Sequence, residues 1–504
     1  MLLRIEDTDQ KRNTPTAMKQ VISDLRWLGI NWEEGPEVGG PNGPYLQSER
    51  LEIYTKYARQ LLDEGKAYYT FDTSEELGAQ RTIAETEKKA FSYRRPHQFP
   101  TEADVQKARA EGRPVTIRFA MPQNEPVVVN DILRGQVTFA AGEIGDFIII
   151  KSDGYPTYHF ACVVDDELMQ VTHILRGQEH LMNTPGHIGL QRALGFRTPL
   201  YAHMSVTVSE SGGKLSKRDR AKVLRNAIKE NASVNLEELA KIGNLTDTEM
   251  QAFLAGDSTP DNPQVDAMAE AIGLHLPEIN VVDFQRSGYI PEAMVNFIAL
   301  LGWSAAGGKE IMTCQELIAA FDLERLNKTN SLFDRKKLVA FNTEHMRMVP
   351  KDRLLGYFKD YLALNASPLA QADDATLRRL LEICEGARTL EDVEKKSRFL
   401  FTDKVEFDPD AVKKVLRKDN AARLLGLIRA ALAELADWTT PAIHKLIEEL
   451  CTRENVGFGK IAQPIRVALT GTAISPPIAD SLDLLGREKS LARIDDALAF
   501  LANS

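Results

Sequence analysis

Residues 171–209 read VTHILRGQEHLMNTPGHIGLQRALG (171–195) and then, after FRT, PLYAHMSVTVS (199–209). The first block opens as a strand and then places Leu181 to Leu194 at helical spacing. The second is another strand, and it runs directly into a glycine–lysine loop. Strand, helix, strand is the unit of an α/β layer rather than of a helical bundle. The start of the chain fits the same layer. MLLRI runs straight into a charge cluster, Arg4-Ile5-Glu6-Asp7-Thr8-Asp9, as a strand delivering charges to a site would. Asn13-Thr14-Pro15 signals a helix start, with Thr14 as cap and Pro15 in the first turn. That helix carries Val21, Leu25 and Leu28 and stops at Gly29. A turn-rich loop, GPEVGGPNGPY (35–45), leads to a second amphipathic helix ended by Gly65, with Leu51, Tyr54, Tyr57, Leu61 and Leu62 on one face.

From about 70 to 175 the character changes. Charged helical stretches (75–93 and 101–111) give way to the β-rich runs VTIRFAM, EPVVVNDILRGQVTF and DFIIIKSDG, which read as an inserted mixed domain. Residues 222–285 hold modest helices between the loops NASVN, GDSTPDNPQ and PEIN, and they read as a second insertion of unknown role. From 289 onward the periodicity is helical, as at Leu424, Leu427, Ile428, Ala431, Leu432 and Leu435.

A chain of 504 residues should form more than one domain. With 43% apolar and 27% charged residues it is expected to be globular and soluble, with no apolar run long enough to span a membrane and no signal peptide. A cytoplasmic place follows. Cys162, Cys314, Cys384 and Cys451 lie far apart and form no C-x-x-C pair, so the expectation is four reduced thiols and neither zinc nor a disulfide framework. A net charge of −10 argues against a protein coated in nucleic acid, though not against one that grips RNA with local basic stretches.

The loop Ser211-Gly212-Gly213-Lys214-Leu215-Ser216-Lys217-Arg218 puts two lysines and an arginine behind two glycines. Compact cations on such a loop suit a polyphosphate whose charge must be stabilised as a bond breaks. It is not a Walker A loop, because G-x-x-x-x-G-K-[ST] is absent. Taken alone, KLSKR is more often a solvated basic turn, RIEDTD a surface cluster and Arg176 a structural arginine. Order and spacing change that balance. RIEDTD (4–9), WLGINWEEGPEVGGPNGPYLQSERLEIYTKYARQLLDEGKAYY (27–69), KSDGYPTYHFACVVDDELMQVTHILRGQEH (151–180) and KLSKR (214–218) together resemble the class I glutamyl-tRNA synthetases. GYIPEAMVNFIALLGWS (288–304), FDRKKL (333–338) and GKIAQPIRVALTGTAISPP (459–477) extend the resemblance over nearly the whole chain apart from 222–285.

The resemblance implies a Rossmann-type α/β catalytic domain, N-terminally incomplete, with an inserted α+β acceptor-binding domain, followed by all-α anticodon-binding domains. The expected boundaries are 1–70 and 151–221 for the two catalytic parts, 71–150 for the acceptor-stem domain and 222–285 for the insertion. A stem-contact region follows at 286–330, then the helical anticodon domains at 331–504. The implied reaction joins glutamate, ATP with Mg²⁺ and tRNA(Glu), in a monomer without membrane association. Glu6 would accept the substrate α-ammonium, Arg176 would bind a carboxylate of glutamate with its planar fork, and Tyr158 would reach the substrate side chain. Cys162 stands where bacterial members commonly carry asparagine, a departure that touches one substrate hydrogen bond. Lys214, Ser216, Lys217 and Arg218 would hold ATP, with Lys214 and Lys217 catalytic, and Glu179 with His180 would line the cleft around the adenosine.

The HIGH signature that precedes RIEDTD in that family does not stand ahead of it here. The expectation is a start assigned too late, with the chain as written poorly active. The competing reading is a catalytically inactive tRNA-binding paralogue. Gly186-His187-Ile188-Gly189 lies on the wrong helix to replace HIGH, and His187 reads as structural. In the helical region, Gly386 stands where members that reject tRNA(Gln) carry an arginine, and Arg388 lies two residues later. Charging of tRNA(Gln) is therefore expected as well. Arg335-Lys336-Lys337 and Lys413-Lys414…Arg417-Lys418 are the candidate phosphate contacts.

Overall fold

Two glycines with left-handed backbones, Gly29 (φ +73°) and Gly65 (φ +67°), follow the first two helices, α1 (Pro15–Trp27) and α2 (Leu51–Asp63). In the computed structural model all residues are described except 11–14, 89–90, 210–212, 214–217, 232, 385, 419 and 503–504. The Asn13-Thr14 helix-start signal thus lies outside the described residues, whereas Pro15 does open α1. The chain divides into two compact units, Met1–Leu215 with Val295–Asp334, and Ser216–Met294 with Arg335–Ser504.

In the first unit the opening run does not form a regular strand. It is extended backbone that makes two isolated parallel bridges, Leu2 with Glu34 and Ile5 with Leu46, held by bonds such as Ile5 N–H to Tyr45 O at 2.9 Å. Three antiparallel strands follow one another in space as β1 (Ala67–Thr70), β2 (Thr116–Phe119) and β5 (Phe147–Ile150). A mixed four-stranded sheet contains β3 (Val127–Asp131), β4 (Gly135–Phe139), β6 (His173–Gly177) and β7 (Leu200–Met204), in the order β4-β3-β7-β6. Strands β3, β7 and β6 run parallel, and β4 pairs antiparallel with β3. Helix α3 (Tyr158–Leu168) precedes β6, and α4 (Thr184–Leu194) crosses from β6 to β7. The helical spacing read from Leu181 onward begins as a 3-10 turn, Gln178–Asn183, before α4 starts at Thr184. A short parallel pair, β8 (Thr207–Val208) with β9 (Ser331–Leu332), ties the end of the strand run to residues far along the chain.

The core of this unit gathers Tyr54, Phe119, Ile149, Phe160 and Leu190, with a second cluster around Ala202, Trp303 and Leu317. Asp165 on α3 is the polar pin in the apolar core. It accepts from Arg50 Nε at 2.8 Å, the Tyr54 hydroxyl at 2.8 Å and Gln47 Nε2 at 2.9 Å, which fixes α2 against α3.

The second unit is helical among its described residues. Its first part has its own apolar core, including Leu224, Leu239, Phe253 and Met268. It comprises α5 (Arg218–Glu230), α6 (Leu236–Ile242), α7 (Asp247–Ala255), α8 (Asn262–Ala271) and a short helix, Val281–Arg286. Between α6 and α7 the chain turns over 243–246, with Asn244 in the left-handed region (φ +50°) and Thr246 capping α7. That order and turn length are those of a helix–turn–helix. Two further clusters hold Leu355, Phe358, Leu377 and Leu390, and Leu424, Ile428, Ile447, Ile465 and Leu482.

Candidate active site

Strand β6 and helix α3 carry the wall of the site, and the extended opening run crosses beside them. Arg4 lies between two acids: its Nη1 donates to Asp166 Oδ1 at 2.8 Å and its Nη2 to Glu6 Oε1 at 2.9 Å. Asp7 is buried and accepts from the Ser48 backbone N–H at 2.8 Å and the Ser48 hydroxyl at 2.6 Å. The cluster is thereby divided: Arg4 and Asp7 hold the segment in place, while the exposed Glu6 is presented to the site.

Glu6 Oε1 also accepts from Cys162 Sγ at 3.3 Å. Burial, and then the Glu6 charge beside it, push the Cys162 thiol well above its ordinary range, so it remains a donor. Tyr158 lies one helical turn before Cys162 on the same face of α3. Burial pushes its phenol up to about 12, and Arg176 bears on the same hydroxyl from β6. The Tyr158 ring meets the rings of His159, His180 and His187 at centroid distances of 5.4, 6.0 and 6.2 Å. The structure thus puts Glu6 against Cys162, with Tyr158 one turn along the same helix and within electrostatic reach of Glu6, Cys162 and Arg176.

Arg176 is held from behind. Its Nη2 donates to Thr184 Oγ1 at 2.8 Å, its Nε reaches His203 Nε2 at 3.2 Å, and the guanidinium lies 5.5 Å from the centre of the Tyr201 ring. The Glu179 carboxylate folds over the neighbouring Gly177, and a side chain at 177 would require that flexible carboxylate to turn aside. His187 is buried, with Nε2 3.0 Å from His159 Nδ1, and burial holds its pKa well below the ordinary value.

Lys214, Ser216 and Lys217 lie outside the described residues, and Arg218 begins α5. Among the described residues no group of three or more His, Cys, Asp or Glu side chains is arranged to hold a metal ion. No helix there is long and apolar enough to cross a membrane. Sequence reading did not single out Asp131, Thr184 or His203; a histidine in the middle of a strand was the only available signal.

The geometry has close relatives. Residues 1–252 and 276–340 match the family model of class I tRNA synthetases (E and Q), catalytic domain, and 353–498 match an anticodon binding domain. The chain belongs to the glutamate–tRNA ligases of class I. It is 34% identical over 504 residues to the glutamate–tRNA ligase of Moorella thermoacetica, covering 99% of this chain and 91% of that one. The Bacillus subtilis glutamate–tRNA ligase is 33% identical over 98% of this chain and 91% of its own length. Among solved structures, the glutamate tRNA ligase from Elizabethkingia meningosepticum in complex with its amino acid superposes with a TM-score of 0.74. That pair is 31% identical, covering 99% of this chain and 92% of the other. The family match bears out the expected architecture, a class I catalytic part followed by helical anticodon-binding parts.

Proposed function

We propose that this ligase attaches glutamate to tRNA(Glu) in two steps, with the acid–thiol–phenol–guanidinium wall as its amino-acid site. The carrying observation is the hydrogen bond from Cys162 to Glu6, with Tyr158 one helical turn away and within electrostatic reach of Arg176. A fixed acid at one end and a planar guanidinium at the other match a zwitterion with a second carboxylate. Glu6 takes the α-ammonium, Arg176 takes a carboxylate through paired N–H donors, and Tyr158 donates its hydroxyl to the side chain.

In the first step a carboxylate oxygen of glutamate attacks the α-phosphorus of ATP, supplied as its Mg²⁺ complex. The bond to the β-phosphate breaks, pyrophosphate leaves, and glutamyl-adenylate remains. In the second step a ribose hydroxyl of the terminal adenosine of tRNA attacks the acyl carbon and AMP departs. The protein's part is to orient the reacting groups and to stabilise charge as it develops. Lys214 and Lys217, with Ser216 and Arg218, serve the phosphates, and Glu179 with His180 the adenosine side. Residues 71–150 are assigned to the acceptor stem, 286–330 to further stem contacts and 331–504 to the anticodon. The 222–285 segment is left without a role. The enzyme works as a cytoplasmic monomer, and with Gly386 in place of a discriminating arginine it also accepts tRNA(Gln).

Glutamate and ATP affinities measured by calorimetry test the site. Glu6→Gln and Arg176→Lys are each expected to weaken glutamate binding by about tenfold or more, the scale of one charge-assisted hydrogen bond, with ATP affinity retained. Unchanged glutamate affinity in either variant would remove that residue from the site.

A further inference from the structure

The side chain that aims Arg176 is itself held by a buried carboxylate. His203 stands opposite Arg176 in the parallel register of β6 and β7, and Asp131 ends the adjoining strand β3. His203 Nδ1 lies 2.6 Å from Asp131 Oδ2, and neither side chain is exposed to solvent. His203 Nε2 lies 3.2 Å from Arg176 Nε. A guanidinium has only donors, so Nε2 must be the acceptor and the histidine proton must sit on Nδ1. Asp131 enforces the same assignment. Its partners among the described residues are all donors: the Leu133 and Arg134 backbone N–H groups at 2.9 and 2.8 Å, the His203 N–H at 3.0 Å, and Nδ1. A carboxylate so placed has no proton to give to the imidazole. Thr184 Oγ1 is also 3.0 Å from Nε2, but its hydroxyl can donate instead to the His180 carbonyl at 3.2 Å, leaving the Nε2 lone pair to Arg176.

We infer that Asp131 and His203 are positioning residues that lock the Arg176 guanidinium into its substrate-binding orientation by fixing the His203 tautomer. The inference rests on the reading of Arg176 as the glutamate-binding arginine. It adds two buried residues, 72 and 27 positions from their partners in sequence, that determine where that arginine points. The logic is that of carboxylate–histidine pairs in which the acid orients the ring and never receives its proton. Replacing Asp131 by asparagine sets an NH₂ group among donors. With the amide oxygen kept for the Leu133 and Arg134 N–H groups, the NH₂ faces His203 Nδ1, which must give up its proton. That proton then sits on Nε2 and opposes the Arg176 Nε–H, driving the guanidinium from its place.

The full-length protein labelled with ¹⁵N-histidine reports the tautomer directly, and His203→Gln assigns the signal. The expected spectrum shows His203 protonated on Nδ1 and bare on Nε2 at neutral pH; a ring protonated on Nε2 overturns the inference. Glutamate and ATP titrations then read the consequence. Asp131→Asn is expected to weaken glutamate on the order of tenfold while ATP stays within about twofold. His203→Gln, whose amide oxygen can stand where Nε2 stands, is expected to keep glutamate affinity that His203→Leu loses. Circular dichroism and thermal unfolding confirm that each variant compared is folded. If Asp131→Asn does not fold, the glutamine–leucine contrast decides, and equal glutamate affinities in those two variants overturn the inference. Arg176→Lys separates the two readings. If it weakens glutamate and folded Asp131→Asn does not, the positioning role fails. If Arg176→Lys itself leaves glutamate binding intact, the role assigned to Arg176 fails and the positioning role falls with it.

Discussion

Arg50 Nε and Asp165 Oδ1 meet at 2.8 Å with side chains only 1% and 0% exposed. The pair joins the loop before α2 to the middle of α3, the helix that presents Tyr158 and Cys162. Arg50 also caps the preceding turn by donating to the Asn42 and Pro44 carbonyls at 3.1 and 2.8 Å.

Breaking this pair from one side leaves a charge buried without its partner. Asp165→Ala is expected to destabilise the first unit by about 3–5 kcal/mol, and Asp165→Asn by less, because the amide oxygen still accepts. Urea unfolding followed by tryptophan fluorescence measures it. A loss under about 1 kcal/mol for Asp165→Ala would mean that the network is not the pin described.

Cys162 offers Glu6 a weak donor. Cys162→Asn replaces it with an amide N–H, so glutamate binding is expected to tighten several-fold, in line with about 0.5–1.5 kcal/mol for one hydrogen bond. Calorimetry reads the change, and weaker binding would contradict the assignment. The thiol's reactivity is a separate check. Its pKa is held high by burial, so alkylation at neutral pH should be slow at Cys162, fast at the exposed Cys314, and accelerated at Cys162 only as pH rises.

Acid should weaken the first unit through its buried histidines. Burial, then the nearby Arg176 charge, hold the His187 pKa well below its ordinary 6.5. Its Nδ1 has no hydrogen-bond partner among the described residues. A depressed folded pKa means that the unfolded chain binds the extra proton first. The associated stability is therefore present above about pH 6.5 and lost as pH falls toward the folded value. His187→Asn should flatten that part of the stability–pH curve; an unchanged slope would assign the acid sensitivity elsewhere.

Much of this architecture was legible in the sequence because it depends on local signals. Gly29 and Gly65 marked helix ends through their backbone freedom, the β-rich runs 115–121, 125–139 and 146–154 became strands, and the helical periodicity beyond 289 held. Longer-range relations were not legible. The apolar character of the opening run predicts a strand, but its partners are single residues near 34 and 46, so only bridges form. The β8–β9 pair joins residues 207–208 to 331–332, and no local pattern announces it. The same holds at the site. RIEDTD stands out as a charge cluster and Arg176, Glu179 and His180 through the family resemblance, whereas Asp131, Thr184 and His203 act through folding alone. In the cationic stretches, geometry divides what the sequence grouped: Arg335 pairs with Glu278 and Lys414 with Asp410.

The helix–turn–helix of α6 and α7 is expected not to bind duplex DNA. From Leu236 to Asp283 the chain carries one basic side chain, Lys241, against ten acidic ones, so a phosphate backbone would be repelled rather than neutralised. An electrophoretic mobility assay with a mixed-sequence duplex checks this, and a salt-sensitive shift that persists after α5 lysines are neutralised would contradict it.

Specificity for tRNA is expected to be relaxed. Arg388 is exposed, with its backbone N–H bonded to Asp392 Oδ2 at 2.9 Å and its carbonyl to Asn342 Nδ2 at 2.7 Å, so its place in the chain is fixed two residues beyond Gly386. Charging purified tRNA(Glu) and tRNA(Gln) separates the cases. A preference for tRNA(Glu) beyond about a hundredfold that disappears in Arg388→Ala would show that this arginine does discriminate.

The most direct test of the whole account is aminoacylation itself: the protein extended in frame upstream of Met1 to a HIGH-type segment, radiolabelled glutamate, MgATP and tRNA(Glu), with Lys217→Ala and Arg176→Lys in parallel. The expected result is ATP-dependent glutamyl-tRNA formation, with kcat lowered far more than the glutamate KM in Lys217→Ala and the glutamate KM raised in Arg176→Lys. Attachment of glutamine in preference to glutamate, or glutamate attachment indifferent to both substitutions, would contradict it.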